Sequence, residues 1–256
     1  MDKIFIENLR LIELDMVAEL LPPPSTLLEI GAGAGWQAKQ LQLRGFKVSA
    51  VDIEPLTDSH YNYEDDRVFE IVQYDGYSLP FPDGSFDVVF SSNVLEHIPH
   101  VESFQKEILR VLKDKGTCVH VLPTSYWRFW SMLTYYPALI RNRLKVKIRN
   151  DENSGGVIGN IQRKIGISLV IQKLVAPRHG ETGNTIIELY LFSALRWKRL
   201  FQRTGWVTTG YSTNKLFYTG EQLFGAKIPI PFRRYLSYLL GSSCHFFVLS
   251  KDLTLK

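Results

Sequence analysis

Cysteine is scarce in this chain. Two residues, Cys118 and Cys244, in a length of 256 are too few for a disulfide framework, and they suit a reducing compartment with both thiols packed in a core. No CxxC, HExxH or comparable ligand cluster occurs, so no metal site is expected. No run reaches the ~18 apolar residues of a membrane span. Met1-Asp2-Lys3 is not followed by an apolar signal core with a small-residue cleavage site, and a cytoplasmic location is the expectation.

What is present is ordinary globular material: 45% hydrophobic and 22% charged residues. The length fits one large domain, or a domain with an insertion, and is ample for a real core. The net charge of +4 hides an asymmetry. Residues 1–124 hold 10 Lys/Arg against 20 Asp/Glu, a balance of −10, while residues 125–256 hold 20 against 6, a balance of +14. The C-terminal half could face an anionic substrate or a membrane surface, or the two halves could simply attract one another.

The chain is organised around Leu27 to Leu41, LLEIGAGAGWQAKQL. A short apolar run between Pro22-Pro23-Pro24 and Gly31 predicts a buried strand. Gly31, Gly33 and Gly35 follow at alternate positions, and helical spacing resumes at Trp36. Strand, glycine turn and helix bring backbone N–H groups up to a ligand. Trp36 stands where a dinucleotide fingerprint needs its third glycine, and Gly35 is not followed by the Lys-Ser/Thr of a phosphate loop. Glu29 is an unusual residue for a buried strand end unless it has a partner.

Residues 3–21 have helical spacing, closed by the three prolines. Phe46 to Val51 predicts a second strand with Asp52 at its C-terminal end. Asp52 lies 21 positions after Gly31, the interval at which an α/β nucleotide site places a carboxylate for ribose hydroxyls. Val68 to Val72 predicts a third strand leading to Asp75-Gly76. The stretch Leu79-Pro80-Phe81-Pro82-Asp83-Gly84-Ser85-Phe86-Asp87 leads into a fourth at Val88 to Phe90, followed by Ser91-Ser92-Asn93-Val94-Leu95-Glu96-His97-Ile98. Val101 to Leu112 is an amphipathic helix, with Arg110 among its water-facing residues, and Thr117 to Leu122 a fifth strand. Five strands alternating with helices imply a doubly wound parallel α/β sheet that binds ligands at the strands' C-terminal ends.

The Glu-x-Gly-x-Gly-x-Gly turn, Asp52-Ile53, Asp75 before LPFPDGSFD, and Leu-Glu-His-Ile together resemble class I S-adenosylmethionine (SAM)-dependent methyltransferases of the small-molecule kind, quinone methylases included. The likeness covers residues 20–124 by motif and 190–251 by pattern. It implies a Rossmann-like, mostly parallel seven-stranded sheet with an antiparallel last strand, here Ser243 to Leu249, and SAM as cofactor. It implies that Glu29, Gly31, Ala32, Gly33, Gly35, Asp52, Ile53, Asp75, Gly76, Ser92 and Asn93 hold SAM, with Asp75 accepting from the adenine amino group. His97 could be a general base or a structural hydrogen-bonder.

Beyond Pro123 the pattern changes. Residues 125–190 are expected to form an inserted substrate cap, with residues 1–124 and 191–256 as the core and part of 211–240 joining the cap. The aromatics of Ser125 to Ile140 suit a ligand pocket, a bilayer interface or a helical core. The basic residues at 141, 143, 145, 147 and 149 share a side if the segment is a strand, and ring it if it is not. Asp151 to Gly159 predicts a loop. His179 and Glu181 could orient a substrate hydroxyl ahead of a helix from Glu188 to Phe201. The expected acceptor is a small anionic or aromatic molecule: a lipid-linked glycan precursor or a quinone-like ring. Peripheral membrane contact is compatible with this, whereas no nucleic-acid-binding module is evident. A competing class is a non-catalytic protein of the same fold that binds a partner or membrane through its basic half.

Overall fold

A computed structural model describes residues 3–22, 25–53, 67–153, 176–220 and 225–255, with side chains withheld at residues 3, 4, 140–153 and 255. Seven strands form one sheet: β1 (Thr26–Ile30), β2 (Lys47–Ile53), β3 (Val72–Tyr74), β4 (Phe86–Ser92), β5 (Leu112–Pro123), β6 (Trp206–Thr213) and β7 (Cys244–Lys251). Their order is β3-β2-β1-β4-β5-β7-β6, and only β7 runs antiparallel to its neighbours. β1 is central and buried along almost its whole length, which is why it is written as an apolar run rather than an alternation. The order reverses between β1 and β4, and a crevice opens there at the strands' C-terminal ends.

Helices α1 (Lys3–Ala18), α2 (Trp36–Leu43) and α3 (Val101–Val111) accompany the first five strands. In α3, Val101, Phe104, Ile108 and Val111 are buried at the predicted spacing. After β5 come α4 (Ser125–Asn153), α5 (Ile187–Leu191), α6 (Ala194–Arg203) and α7 (Ile230–Leu240). Two hydrophobic cores cover the faces of the sheet. Leu28, Val89, Trp197, Phe201 and Phe247 lie in one, and Leu14, Leu27, Phe90 and Phe246 in the other.

Several expectations need correction. The third strand is Val72–Tyr74, not Val68 to Val72. Val68 N–H donates instead to Ala34 O at 3.0 Å, and Phe69 packs over the glycine turn before the chain joins the sheet. The basic stretch 141–149 is neither strand nor irregular but part of α4. The helix expected over 188–201 is two helices, broken at Phe192-Ser193, with the Ser193 hydroxyl capping α6 through Arg196 N–H at 3.3 Å. Pro23 and Pro24 lie outside the described residues, as do residues 154–159 of the expected loop, whose first three residues end α4. Residues 221–224 of the 211–240 stretch also lie outside them, while α7 occupies its end.

The later segments are fastened by one buried ion pair. Arg128 Nε lies 2.6 Å from Glu188 Oε2, both side chains being almost wholly enclosed. Glu188 Oε1 accepts from the backbone N–H groups of His179 and Gly180, each at 2.7 Å. Arg128 also donates to Pro177 O at 2.7 Å. One carboxylate thus joins α4, α5 and the 177–181 loop. Removing one partner of such a pair leaves a buried charge uncompensated, at a cost of about 3–5 kcal/mol. Glu188→Ala is expected to lower stability by that amount in denaturant unfolding.

Candidate functional site

The glycine turn hangs on the second strand: the N–H groups of Gly31 and Ala32 both donate to Val51 O, at 2.9 and 3.1 Å. Gly31 has φ of 73°, and a Cβ there would sit 2.3 Å from Val94 Cγ2. Only glycine lets the end of β1 approach the loop after β4 this closely. Gly33 N–H donates to Asp52 Oδ2 at 2.5 Å, and Ile53 N–H to Asp52 Oδ1 at 2.8 Å. Burial raises the Asp52 carboxyl above its ordinary value, and these two donors counter it. Asp75 is different: the N–H groups of Ser78 and Tyr77, both 2.8 Å from its Oδ1, hold it below the usual carboxylate range.

These groups line a cavity of about 880 Å³ at the C-terminal ends of β1 to β4, a volume typical of cofactor pockets. Of the residues predicted for SAM, the wall contains Gly31, Gly33, Asp52, Ile53, Asp75, Gly76 and Asn93, and it also contains His97. Glu29, Ala32, Gly35 and Ser92 stand behind it. Ala32 and Gly35 shape the turn, Gly35 as the residue before α2, and Ser92 ends β4. Glu29 is buried beneath the turn, where desolvation, helped by the Asp52 charge, pushes its carboxyl up to about 8.

Sequence reasoning missed several wall and support residues. Tyr77 stacks on His100 with ring centroids 4.2 Å apart, and both line the cavity. Arg110, expected in water, donates to Leu79 O, Phe81 O and Asp83, and so anchors the LPFPDG loop. Glu107 beside it accepts from Leu79 N–H. Asn93, with φ of 55°, turns its amide oxygen to the Arg10 guanidinium of α1 at 2.8 Å. The helical periodicity assigns faces to these residues but not the loops they reach.

At the Asn93 side, one turn of 3₁₀ helix (Leu95–His97) presents His97 to the cavity and buries Glu96. His179 reaches it from the distant 177–181 loop, ring edge to ring face at 4.9 Å. Trp127 of α4 packs on His179 at 4.6 Å. Burial lowers both imidazoles, His179 to about 4, so both are neutral near pH 7. Glu181 is exposed, near Arg178, and its backbone N–H donates to Glu96 O at 3.2 Å. His97 and His179 therefore meet, but of the three predicted residues only His97 lines the cavity; His179 and the Glu181 carboxylate stand outside its wall.

Residues 28–120 match the family model described as a methyltransferase domain. A 2-methyl-6-phytyl-1,4-hydroquinone methyltransferase of a Synechocystis strain is 36% identical over 104 residues, covering 40% of this chain and 33% of that protein. An uncharacterized methyltransferase of a Mycobacterium strain is 37% identical over 101 residues, covering 40% of each. The chain thus matches about a third to two fifths of the length of these relatives. Among solved structures, a SAM-dependent methyltransferase from Mesorhizobium loti aligns with a TM-score of 0.52 at 14% identity, over 93% of this chain and 97% of that one. The cyclase SpnF aligns with a TM-score of 0.50 at 17% identity, over 95% and 80%. Over residues 28–120 the chain thus matches the methyltransferase-domain family, and its sheet has the Rossmann-like fold of these solved structures. S-adenosylmethionine is the cofactor that this family uses, and the cavity has the size, the glycine turn and the strand-end carboxylates to take it.

Glu29 makes stability pH-dependent. Its folded pKa is raised to about 8 from an ordinary 4.5, so the native state keeps a proton that the unfolded chain releases between those values. Stability therefore falls as pH rises through that window. Glu29→Gln is expected to flatten this fall and to be more stable than the native chain at pH 9 by roughly 1–3 kcal/mol, measured by urea unfolding at pH 6 and pH 9.

Proposed function

We propose that the protein transfers a methyl group from SAM to a small-molecule acceptor. Residues 1–124 and 191–256 serve as the cofactor core, and residues 125–190 as a cap over the acceptor. The observation that carries this reading is the convergence of the Gly31–Gly35 turn, Asp52 and Asp75 on one cavity whose wall also holds His97, with His179 and Trp127 packed in turn behind that ring. SAM supplies an already activated methyl group, so the chain's task is alignment and exclusion of water. Asp52 is placed for the ribose hydroxyls, Asp75 for the adenine and the glycine turn for the methionine part. Glu29 supports the turn from below. His97 and His179, both neutral, are suited to handling an acceptor proton, with Glu181 nearby.

An aromatic acceptor is favoured by the three rings and by the hydroquinone methyltransferase among the relatives. A lipid-linked anionic acceptor draws support from the surface. On α4, Tyr126, Phe129 and Leu133 recur along one exposed face, and on α7, Phe232, Tyr235 and Leu239 do the same. Trp130 Nε1 donates to Leu240 O at 2.9 Å and holds the two helices together. Aromatics beside a basic chain half suit an interfacial, peripheral contact. No helix among the described residues is long and apolar enough to cross a membrane. SpnF, a cyclase on a similar fold, illustrates that this fold need not mean methyl transfer, which keeps the non-catalytic alternative in play.

Titration calorimetry with SAM and S-adenosylhomocysteine, with Asp52→Ala in parallel, tests the cofactor site. Loss of one charge-assisted contact should cost about 1.5–3 kcal/mol, or roughly 10- to 150-fold in affinity. Failure of the unaltered chain to bind either ligand would refute the enzyme reading. For the surface, co-sedimentation with vesicles containing anionic lipid should exceed that with zwitterionic vesicles, and Phe232→Ser with Leu239→Ser should abolish the difference. Equal sedimentation of the double variant and the unaltered chain removes this face from consideration.

A further inference from the structure

Glu96 is the one residue of the Leu-Glu-His-Ile turn without an evident purpose. Its side chain is fully enclosed, yet neither carboxylate oxygen has a hydrogen-bond partner among the described residues. A buried carboxylate in that condition is costly, and native folds keep one where something else completes it. Arg10, a cation that acts on Glu96 through space, gives its hydrogen bonds to Glu13 at 2.7 Å and to Asn93. What does surround the carboxylate is imidazole. One Glu96 oxygen and one ring nitrogen each of His97 and His179 all lie within 4.8 Å of one another.

The chain goes to some length to make this cluster. The His179 loop is laid against the 3₁₀ turn by the Glu181 N–H to Glu96 O bond. A Cβ at Gly180 would fall 2.8 Å from that same carbonyl, so the close approach depends on glycine. Glu188 fixes the loop from behind through the His179 and Gly180 N–H groups, and Trp127 walls one flank. His97 is the exposed member of the three, the one open to solvent.

We propose that Glu96, His97 and His179 bind a divalent cation of the zinc class. Two imidazoles and a carboxylate are a ligand set for Zn²⁺ that leaves a fourth position open. Coordination at about 2.0–2.2 Å requires the donors to close in by a modest side-chain movement. His97 also lines the cofactor cavity, which puts one ligand of the site at the edge of that space. A hydroxyl bound at the open position would lose its proton more readily, which points to an oxygen acceptor. That last role rests on the methyl-transfer reading, whereas the cation site does not.

The test uses the full chain, stripped with chelator and dialysed. Calorimetry with ZnCl₂ and elemental analysis are expected to give one Zn²⁺ per chain, and Co²⁺ in its place should show the visible absorption of a low-coordinate site. Glu96→Gln, His97→Ala and His179→Ala should each weaken Zn²⁺ binding at least about 100-fold, since even outer-shell partners cost 10–100-fold. Circular dichroism confirms folding, and His97→Ala, at a partly exposed position, keeps the test open if a buried variant does not fold. No Zn²⁺ uptake by the unaltered chain, or unchanged uptake by the folded variants, overturns the proposal. SAM titration on the same preparations separates the two readings: SAM binding without zinc sinks the cation site alone, and zinc without SAM sinks the methyl-transfer reading alone.

Discussion

The site depends on the close approach of two turns. Gly31 ends the first strand and Val94 follows the fourth, and the two meet only because position 31 has no side chain. That contact closes the floor of the crevice where the strand order reverses, and Asp52 and Asp75 are then set along its rim by the neighbouring strands. Asp52 in turn holds the glycine turn through Gly33 N–H, so the carboxylate offered to a ligand also shapes the cradle beside it. Glu29 beneath them adds a second acidic group, and the two cannot both carry charge cheaply in so enclosed a space.

The part of this arrangement carried by strand ends was legible in the sequence. In a parallel sheet the strands deliver their C-terminal ends to the same edge, so Gly31 and Asp52 could be placed from spacing and flanks, and Asp75 from the likeness of the LPFPDGSFD stretch to a known motif; each lies at the cavity. Position within a turn was harder to read. Glu29, Ala32, Gly35 and Ser92 belong to the same motifs but stand behind the wall, because successive residues of a strand or turn alternate between facing a ligand and facing the core.

The rest was illegible for a different reason. His179 is far from His97 in the chain, and their meeting depends on a buried carboxylate, Glu188, on a helix whose boundaries were themselves misjudged. Apolar periodicity runs on through Phe192 and Ser193, and the break there is a hydroxyl capping a new helix rather than a change of pattern. Arg110 lies on the polar face that periodicity assigns it, and it is partly exposed. The guanidinium also reaches across to three acceptors in a neighbouring loop, a distance that no periodicity records. The displaced third strand has a similar cause: Val68 is tied to the glycine turn by its backbone N–H, its side chain exposed, and Phe69 packs on the turn before the chain enters the sheet.

The Arg128–Glu188 pair has a bearing on how this protein could vary among its relatives. It clasps two points sixty residues apart and ties both to the His179 loop. Whatever lies between the clasped points is a closed loop, and lengthening such a loop twofold costs only about 0.6 kcal/mol of closure entropy. The stretch between Arg128 and Pro177 can therefore grow, shrink or be exchanged while the clasp keeps the histidine in place. On the proposed reading of residues 125–190 as a cap, a change in acceptor preference then needs only that stretch rewritten, with the glycine turn and its carboxylates left as they are.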